Sequence, residues 1–557
     1  MPYIAPSTNI RVLKNVPLSP DYEHTLYWPD RATQTSYFQG KTKYSFLNCT
    51  YTRPFNGKIK IERCADDLYD CNYLMFQNTN FGIKWFYGFI TDVLYLSNNV
   101  SEITFQIDVM QTYYFDYMLD QCFVVREHTR DDTVGANLIP ENLDTGEYIY
   151  DHAYRTGYLG ARSIVFAATF DYTYNPSPGM FVSGLFAGLH YTVFRDPQPS
   201  DLLAISSWIS GAAARADGFV SAFYYPTGMM HANWDEATIP TDIADPVYKS
   251  IAIPLKQSGD IDGYTPKNNK LYTYPYNFLY VTNGQGNSAT YKYEFFKGTQ
   301  LHPLQGNALF ILSGDFCPNP TMWLYPQYYK GSNQDDTSLS PFYNGNYDEA
   351  ISMGGWGQIP FATDTYRAWS AQHGTSLITG ALSSALTGAM SGGAAGAAAG
   401  FARAAAPGVV ESAVRGAIQT FNTEAAMPNQ AHGSFSPMSQ LALGIMDFWF
   451  YDKHITAEYA KVIDDYFTRY GYATNKIKVP ETHGRTHFTY TQTVGCTITP
   501  YNIGATASAP ALGMPADAEA EVCRIYNKGI TFWVNPAEVG HYFGYQDNNA
   551  PIPVPSP

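Results

Sequence analysis

Charge is scarce in this chain. Only 15% of its 557 residues are Asp, Glu, Lys or Arg, against roughly 25% in an average soluble domain. Basic residues are the scarcer half, 34 Lys and Arg against 49 Asp and Glu, for a net charge of −15. No basic run or stripe offsets that balance, which argues against tight gripping of nucleic acid through its phosphates. Cysteine is sparse too: Cys49, Cys64, Cys71, Cys122, Cys317, Cys496 and Cys523 are an odd set with no zinc-knuckle spacing. A chain this long builds a core without staples, so free thiols and maturation in a reducing cytoplasm are expected. The start, Met1-Pro2-Tyr3-Ile4-Ala5-Pro6, has no basic stretch leading into an apolar one, and no secretory signal is expected. Enzymatic signatures are missing as well. There is no G-x-S-x-G elbow, H-E-x-x-H pair, phosphate loop or dinucleotide fingerprint, so a non-enzymatic protein without cofactor or metal is expected.

Aromatic residues are abundant: 46 Tyr, 33 Phe and 9 Trp make up 16% of the chain. Rings in this quantity suit strands and interfaces and argue against disorder or a coiled coil. Length alone suggests about two to four domains. Over residues 57–63 the alternation puts Ile59 and Ile61 on one face, and over 101–109 it aligns Ile103, Phe105, Ile107 and Val109 opposite Thr104, Gln106 and Asp108. Period two of this length signals half-buried strands. Leu74–Gln77, Trp85–Ile90, Ser163–Phe166, Phe278–Val281, Phe488–Thr491 and Ile530–Val534 are further β-like runs. The fold class expected is mainly β with a few helices.

Helical patterns are fewer. Leu202–Ala216 is one. Thr456–Tyr470 is another, with Tyr459, Val462, Ile463, Tyr466, Phe467 and Tyr470 on one side and Gly471 as its stop. His483 and His487 have metal-ligand spacing but flank Gly484-Arg485-Thr486 beside a strand, which favours a surface pair over ligands. Asp260-Ile261-Asp262-Gly263 reads as a turn, since the distal Glu of a calcium loop is missing. The neighbouring acids Asp66-Asp67 and Asp464-Asp465 establish no separation across a cleft, so they give glycan cleavage no support.

Residues Gly374–Ala402 are 29 consecutive positions without a charge. Gly380, Ser384, Gly388, Gly392, Gly396 and Gly400 follow one another at four-residue steps, and Ile378, Leu382, Leu386 and Met390 form a second ridge offset by two. On a helix, two positions are about 200° of rotation, so a small-residue groove would face an aliphatic ridge. Small-xxx-small faces allow close helix packing in lipid, and the run exceeds the roughly 20 residues that span a hydrocarbon core. Seven glycines make it a poor permanent anchor. A segment sheltered from water in one state and helical in membrane in another fits this pattern. A flexible linker and a buried helix pair remain alternatives.

Several short stretches carry a resemblance: Asn9-Ile10-Arg11-Val12-Leu13, Val16-Pro17, Asp21-Tyr22, Met75-Phe76-Gln77-Asn78, Gly82, Lys84-Trp85-Phe86-Tyr87, Phe105-Gln106-Ile107-Asp108-Val109, Gln111-Thr112 and Val125-Arg126-Glu127-His128. It returns at Tyr470-Gly471-Tyr472, Tyr490-Thr491-Gln492-Thr493 and Asn527-Lys528-Gly529-Ile530-Thr531. Over residues 1–130 and 440–535 the chain resembles the tail knob, or distal tail tube, proteins of small short-tailed Picovirinae-type podoviruses of Gram-positive bacteria. The resemblance implies a virion protein at the distal end of the tail, assembled in the host cytoplasm as a homohexameric tube. It would join an upstream tail tube or lower collar protein and pass viral DNA transiently. Long hydrophobic loops would plug the lumen and later enter the host cytoplasmic membrane. On that reading residues 1–140 form an N-terminal β-rich tube unit and 141–370 an inserted β-rich region. Residues 371–432 form the Gly/Ala-rich plug, and 433–557 complete the tube and end in a Pro-rich tail. A receptor-binding or cell-wall-degrading tail component is the main rival, suggested by the Tyr/Asn/Gly-rich middle. A free pore-forming toxin is a further rival that the missing secretory signal weakens.

Overall fold

The computed structural model of the chain describes residues 7–50, 57–78, 84–157, 162–169, 185–186, 189–194, 219–229, 248–298, 304–314, 321–331, 347–353, 447–501 and 513–544. Two compact units emerge. The first gathers Met1–Glu147, Ser258–Tyr276 and Ile455–Pro557, and the second Tyr148–Gln257 and Asn277–His454. Strands dominate both, as the ring-rich, alternating sequence requires.

The first unit is built on two sheets. One holds β1 (Thr8–Lys14), β3 (Thr42–Cys49), β4 (Lys58–Ile61), β5 (Cys71–Asn78), β6 (Phe86–Ser97) and β7 (Val100–Ile107), antiparallel in the order β3–β1–β5–β6–β7–β4. Both faces of this sheet are buried. Leu74 and Phe76 of β5 join Ile10, Val12, Ile59, Ile61 and Ile103 in one core. Tyr73 and Met75, one residue out of phase, join Leu13, Tyr87 and Phe89 in another. Alternation along a single strand therefore divides two cores.

The second sheet orders β2 (His24–Leu26), β25 (Ile530–Trp533), β23 (Phe488–Val494), β9 (Cys122–Glu127) and β22 (Tyr472–Lys478). Chain positions some 500 residues apart pair in parallel register where His24 faces Thr531 and Leu26 faces Trp533. A small ribbon pairs β8 (Tyr117–Leu119) with β24 (Ile498–Pro500). Helix α1 (Arg31–Gly40) starts at Asp30, whose carboxylate accepts Thr33 N–H at 2.8 Å. The short α2 (Val109–Thr112) starts at Asp108, which accepts Gln111 N–H at 3.1 Å. That cap ends β7 at Ile107, so Val109 lies in α2 and not in the strand read from the alternation. Helix α4 (Ala516–Lys528) presents Ala518, Val522, Ile525 and Tyr526 to the core that also holds Phe532 and Trp533.

Helix α3 (Ala457–Tyr470) falls where the sequence pattern puts it and stops at Gly471, φ 65°. A Cβ on Gly471 would lie 2.2 Å from the Glu127 carbonyl oxygen, so no other residue fits there without displacing β9. Its buried face differs from the one expected. Ala460, Ile463, Asp464, Phe467 and Thr468 are buried, and Val462 is 65% exposed. An acid occupies the inner face because the segment Ser258–Tyr276 supplies donors to it.

The second unit contains three four-stranded sheets among the described residues. The first orders β10 (Tyr148–Arg155), β21 (Trp449–Ile455), β16 (Asn277–Thr282) and β17 (Ser288–Tyr291). The next orders β12 (Leu185–Phe186), β13 (Leu189–Phe194), β11 (Arg162–Ala168) and β14 (Phe219–Pro226). The last orders β15 (Tyr248–Pro254), β18 (Asn307–Gly314), β19 (Met322–Gln327) and β20 (Ile351–Met353). Rings of Phe310 and Phe450, 5.1 Å apart, tie the first of these sheets to the last. The helical expectation for Leu202–Ala216 lies outside the described residues.

Candidate functional site

The stretches carrying the family resemblance hold buried polar junctions. The Gln111 side chain accepts Trp28 Nε1–H at 2.6 Å and Gln34 Nε2–H at 3.0 Å while donating to Thr25 Oγ1 at 2.9 Å. Thr112 Oγ1 accepts Tyr87 N–H at 3.0 Å and donates to Tyr87 O at 3.1 Å. Asp116 pairs with Arg31 at 2.8 Å and with buried Lys84. Asp108, inaccessible to water, takes the Tyr73 hydroxyl at 2.8 Å, and burial pushes its carboxyl up to about 6. Each group completes another's hydrogen bonding, as buried polar atoms must.

Arg126, Glu127 and His128 on β9 extend the same pattern. Arg126 donates to Gly471 O at 2.6 Å and pairs with Glu141. Glu141 also holds Lys270 Nζ at 2.5 Å and accepts Ala473 N–H at 3.1 Å. Glu127 is fully buried and pairs with Lys478 at 2.6 Å, while Arg130 pairs with Glu481 at 2.7 Å. Burial raises the Glu127 carboxyl, and Lys478 partly offsets the shift. The Glu127–Lys478 and Arg130–Glu481 pairs wall a cleft of about 640 Å³ that Ile139, Thr474 and Lys476 also line. Of its charged groups, Glu127 and Glu481 are held by Lys478 and Arg130, while Asp131 accepts Thr133 N–H at 2.9 Å.

The catalytic and metal candidates resolve into framework. Asp464, 0% exposed, accepts Lys267 N–H (2.6 Å), Asn268 N–H (3.0 Å), Asn268 Nδ2–H (2.7 Å) and Tyr264 O–H (2.8 Å). Asp465 pairs separately with Lys267 at 3.3 Å. Asp464→Asn is expected to destabilise the first unit by about 1–2 kcal/mol, since one acceptor oxygen is replaced by a donor facing donors. Urea titration checks this, and an unchanged midpoint would count against the clamp. Asp260–Gly263 is a turn: Ile261 and Tyr264 exchange both backbone bonds, with Asp262 and Gly263 at φ 51° and 78°. Asp262 then accepts Ala457 N–H at 2.9 Å, capping α3 from outside. His483 stacks on Tyr27 at 3.9 Å and His487 meets Glu538 at 3.1 Å, so the two histidines serve different partners. Asp66 and Asp67 sit in a single 3₁₀ turn, Ala65–Asp67.

In the second unit, Asp151, His152 and Asp452 place ligand-type atoms within 4.8 Å of one another. Lys256 pairs with Asp151 and lies 3.4 Å from Asp452, so one ammonium already offsets half of the charge of the two carboxylates. Of the cysteines, Cys49, Cys64, Cys71, Cys122, Cys496 and Cys523 are free, and Cys317 lies outside the described residues. Burial pushes Cys71 up to about 11 and raises Cys496 further, with the neighbouring thiols of Cys523 and Cys122 adding to it.

The residues expected to form the membrane-active loop, Ile378, Gly380, Leu382, Ser384, Leu386, Gly388, Met390, Gly392, Gly396 and Gly400, all lie outside the described residues. Among the described residues no helix is long and apolar enough to cross a membrane. The sequence reading missed an exposed apolar row on the second sheet of the first unit. Ile477 and Val494 both face Phe123 in register, and they are 74%, 59% and 40% exposed. The available signal was a large apolar residue at the end of each strand, Phe123, Ile477 and Val494.

Two sheets tied by buried polar junctions thus make up the frame of the first unit. Residues 6–118 match the family described as the caudoviral major tail protein N-terminus, which sets the class as a tail protein of tailed phages. Residues 242–549, more than half of the chain, match the C-terminal domain of the tail knob protein gp9 of Bacillus phage phi29. The chain belongs to the tail knob protein family. It is 25% identical to tail knob protein gp9 of Bacillus phage B103, over 96% of this chain and 98% of that one. With the phi29 tail knob protein it shares 35% identity over 149 residues, 25% of this chain and 24% of the relative. The tail knob protein gp12 of bacteriophage C1 has the same fold, with a TM-score of 0.58 at 12% identity over 95% and 97% of the two chains.

Proposed function

We propose that six copies form a tube at the distal end of the tail, joined above to a tail tube or collar protein. The phage genome leaves through the tube. In this reading residues 371–432 plug the lumen before infection and enter the host cytoplasmic membrane afterwards. The observation that carries it is the uncharged run Gly374–Ala402, with its small-residue face and its aliphatic ridge, in a member of the tail knob family. In water the ridge favours shelter. In lipid every backbone amide must be paired, which favours helix, and the glycine face lets copies pack closely. The net charge of −15 suits a duct that does not retain DNA.

Virions lacking residues 374–402 test the reading. They are expected to assemble and adsorb but to fail at genome delivery, and a peptide of the segment is expected to leak liposomes. Normal infection by the deletion virions would make the segment a linker and end the membrane proposal. A second reading, a face that binds host-wall glycan, is favoured by one observation. Tyr150, Tyr451 and Tyr280 lie side by side on β10, β21 and β16, with centroids 5.0 and 6.4 Å apart, and Tyr150 is 53% exposed. Retention of the protein on purified wall glycan would support that reading, and zymogram clearing would extend it to cleavage.

A further inference from the structure

We propose that Asp151, His152 and Asp452 hold a divalent transition cation of the zinc type in the second unit, and that Lys256 is the cation their carboxylates keep when the metal is absent. Asp151 and His152 lie on β10 and Asp452 on β21, neighbouring strands of one sheet. One ligand-type atom of each comes within 4.8 Å of the other two. Two donors bonded at about 2.0–2.1 Å to one tetrahedral ion stand about 3.3–3.4 Å apart. His152 Nδ1 is 3.3 Å from Asp452 Oδ2, which matches that spacing and exceeds the ~2.9–3.0 Å usual for an N–H···O bond. Asp452 is held as a ligand would be. Its Oδ1 accepts the backbone N–H of Asp151 at 3.1 Å and of His152 at 2.7 Å, which fixes the buried carboxylate and leaves Oδ2 to the imidazole. Outer bonds of this kind orient metal ligands. Asp151 has support of its own, since His454 Nε2 lies 3.3 Å from its Oδ1.

Charge and access favour an ion here. Lys256 pairs with Asp151 and stands 3.4 Å from the same Asp452 Oδ2, so it occupies the position a metal would take. Two carboxylates and one ammonium leave one negative charge uncompensated, whereas a dication offsets both carboxylates. The Lys256 side chain is 27% exposed and can turn into water as the ion enters. The Asp452 side chain is 3% exposed and those of His152 and Asp151 are 62% and 37% exposed, which gives a buried floor and an open mouth where water completes the coordination. An imidazole with two carboxylates suits zinc and its first-row neighbours, whereas magnesium and calcium call for oxygen donors. β10 opens the second unit at Tyr148, and β21 ends its last segment near His454. The ion would therefore staple the first and last strands of the unit, and binding to the folded chain alone adds stability by mass action.

The test uses the untagged full-length chain, stripped with a chelator and titrated with Zn²⁺ by calorimetry and with Co²⁺ by absorption. A saturable site is expected, with the intense visible bands of four-coordinate Co²⁺ that added Zn²⁺ abolishes. His152→Ala deletes a donor from an exposed side chain and leaves the backbone bonds to Asp452 in place. It is expected to weaken binding about tenfold or more with unchanged circular dichroism. Lys256→Met removes a like charge beside the ion and should tighten binding. His541→Ala, at an exposed histidine of the first unit, should bind as the wild type does. Zn²⁺ should also raise the unfolding temperature of the wild type and not that of His152→Ala. Absence of saturable binding of either ion, or equal affinity in His152→Ala and the wild type, would overturn the proposal. So would a Lys256→Met chain that binds no more tightly than the wild type, since ammonium and metal would then not share a place.

Discussion

Glu141→Ala is expected to lower the stability of the first unit by about 3–5 kcal/mol, because it strands two buried cations at once. The Glu141 carboxylate, with 3% of its side chain exposed, is shared by Arg126 and Lys270, whose side chains are 11% and 3% exposed. It also satisfies Ala473 N–H. These contacts join β9, the chain after it, the segment Ser258–Tyr276 and β22. The unit therefore depends on one acid to hold together pieces more than 300 residues apart in sequence. Burial, with the Arg126 charge beside it, lowers the Lys270 ammonium, so its charged form relies on Glu141. Glu141→Gln should recover only the hydrogen bonds and remain strongly destabilised. Glu141→Leu combined with Lys270→Met should recover part of the loss, since an apolar pair removes a buried charge along with its partner. Thermal and urea unfolding of the full chain read the effect. A loss below about 1 kcal/mol for Glu141→Ala would show that the triad contributes nothing beyond a surface pair.

The strands were legible because they follow period two. Ile59 and Ile61 are buried on β4, and Ile103 and Phe105 on β7, as alternation requires. Helix α3 was legible in its ends but not in its face. A reading that counts only apolar side chains puts Val462 inside, whereas the chain buries Asp464 instead. Nothing near position 464 announces the donors, because Tyr264, Lys267 and Asn268 come from almost 200 residues upstream. The same non-locality hid the assignment of Ser258–Tyr276 to the first unit. Arg126, Glu127 and His128 were legible as a family stretch but not as a junction, since their partners Glu141, Lys478 and Thr468 are fixed by sheet pairing and not by spacing. The expected loop residues from Ile378 to Gly400 belong to a part of the chain for which the sequence pattern remains the argument. The exposed row Phe123–Ile477–Val494 was invisible because three single apolar residues become a line only when β22, β9 and β23 are placed in register.

The second large effect is expected from pH, through His128. Its imidazole is buried, accepts Tyr490 N–H on Nδ1 at 2.7 Å and donates from Nε2 to Thr468 O at 3.0 Å. That pattern fixes the neutral tautomer and links β9, β23 and α3. Burial, and next the Arg485 charge, push the imidazole down to about 3 from its usual 6.5. Below pH 6.5 the unfolded chain binds a proton that the folded chain refuses until about pH 3, so stability is lost as pH falls through that window. Between pH 7 and pH 5 the loss from this group is about 2 kcal/mol, one and a half pH units of linkage. Asp108 acts in the opposite direction. Its carboxyl is raised to about 6, so its contribution grows on acidification, and the total curve alone does not isolate His128. The comparison that does is His128→Gln, which can still donate to Thr468 and accept from Tyr490 but cannot titrate. Wild type should lose about 2 kcal/mol more than His128→Gln between pH 7 and 5, measured by urea unfolding at each pH. Equal losses in the two proteins, or an imidazole seen by NMR to protonate near pH 6, would refute the buried neutral assignment. If the assignment holds, the junction of β9, β23 and α3 is secure at neutral pH and is weakened by acid.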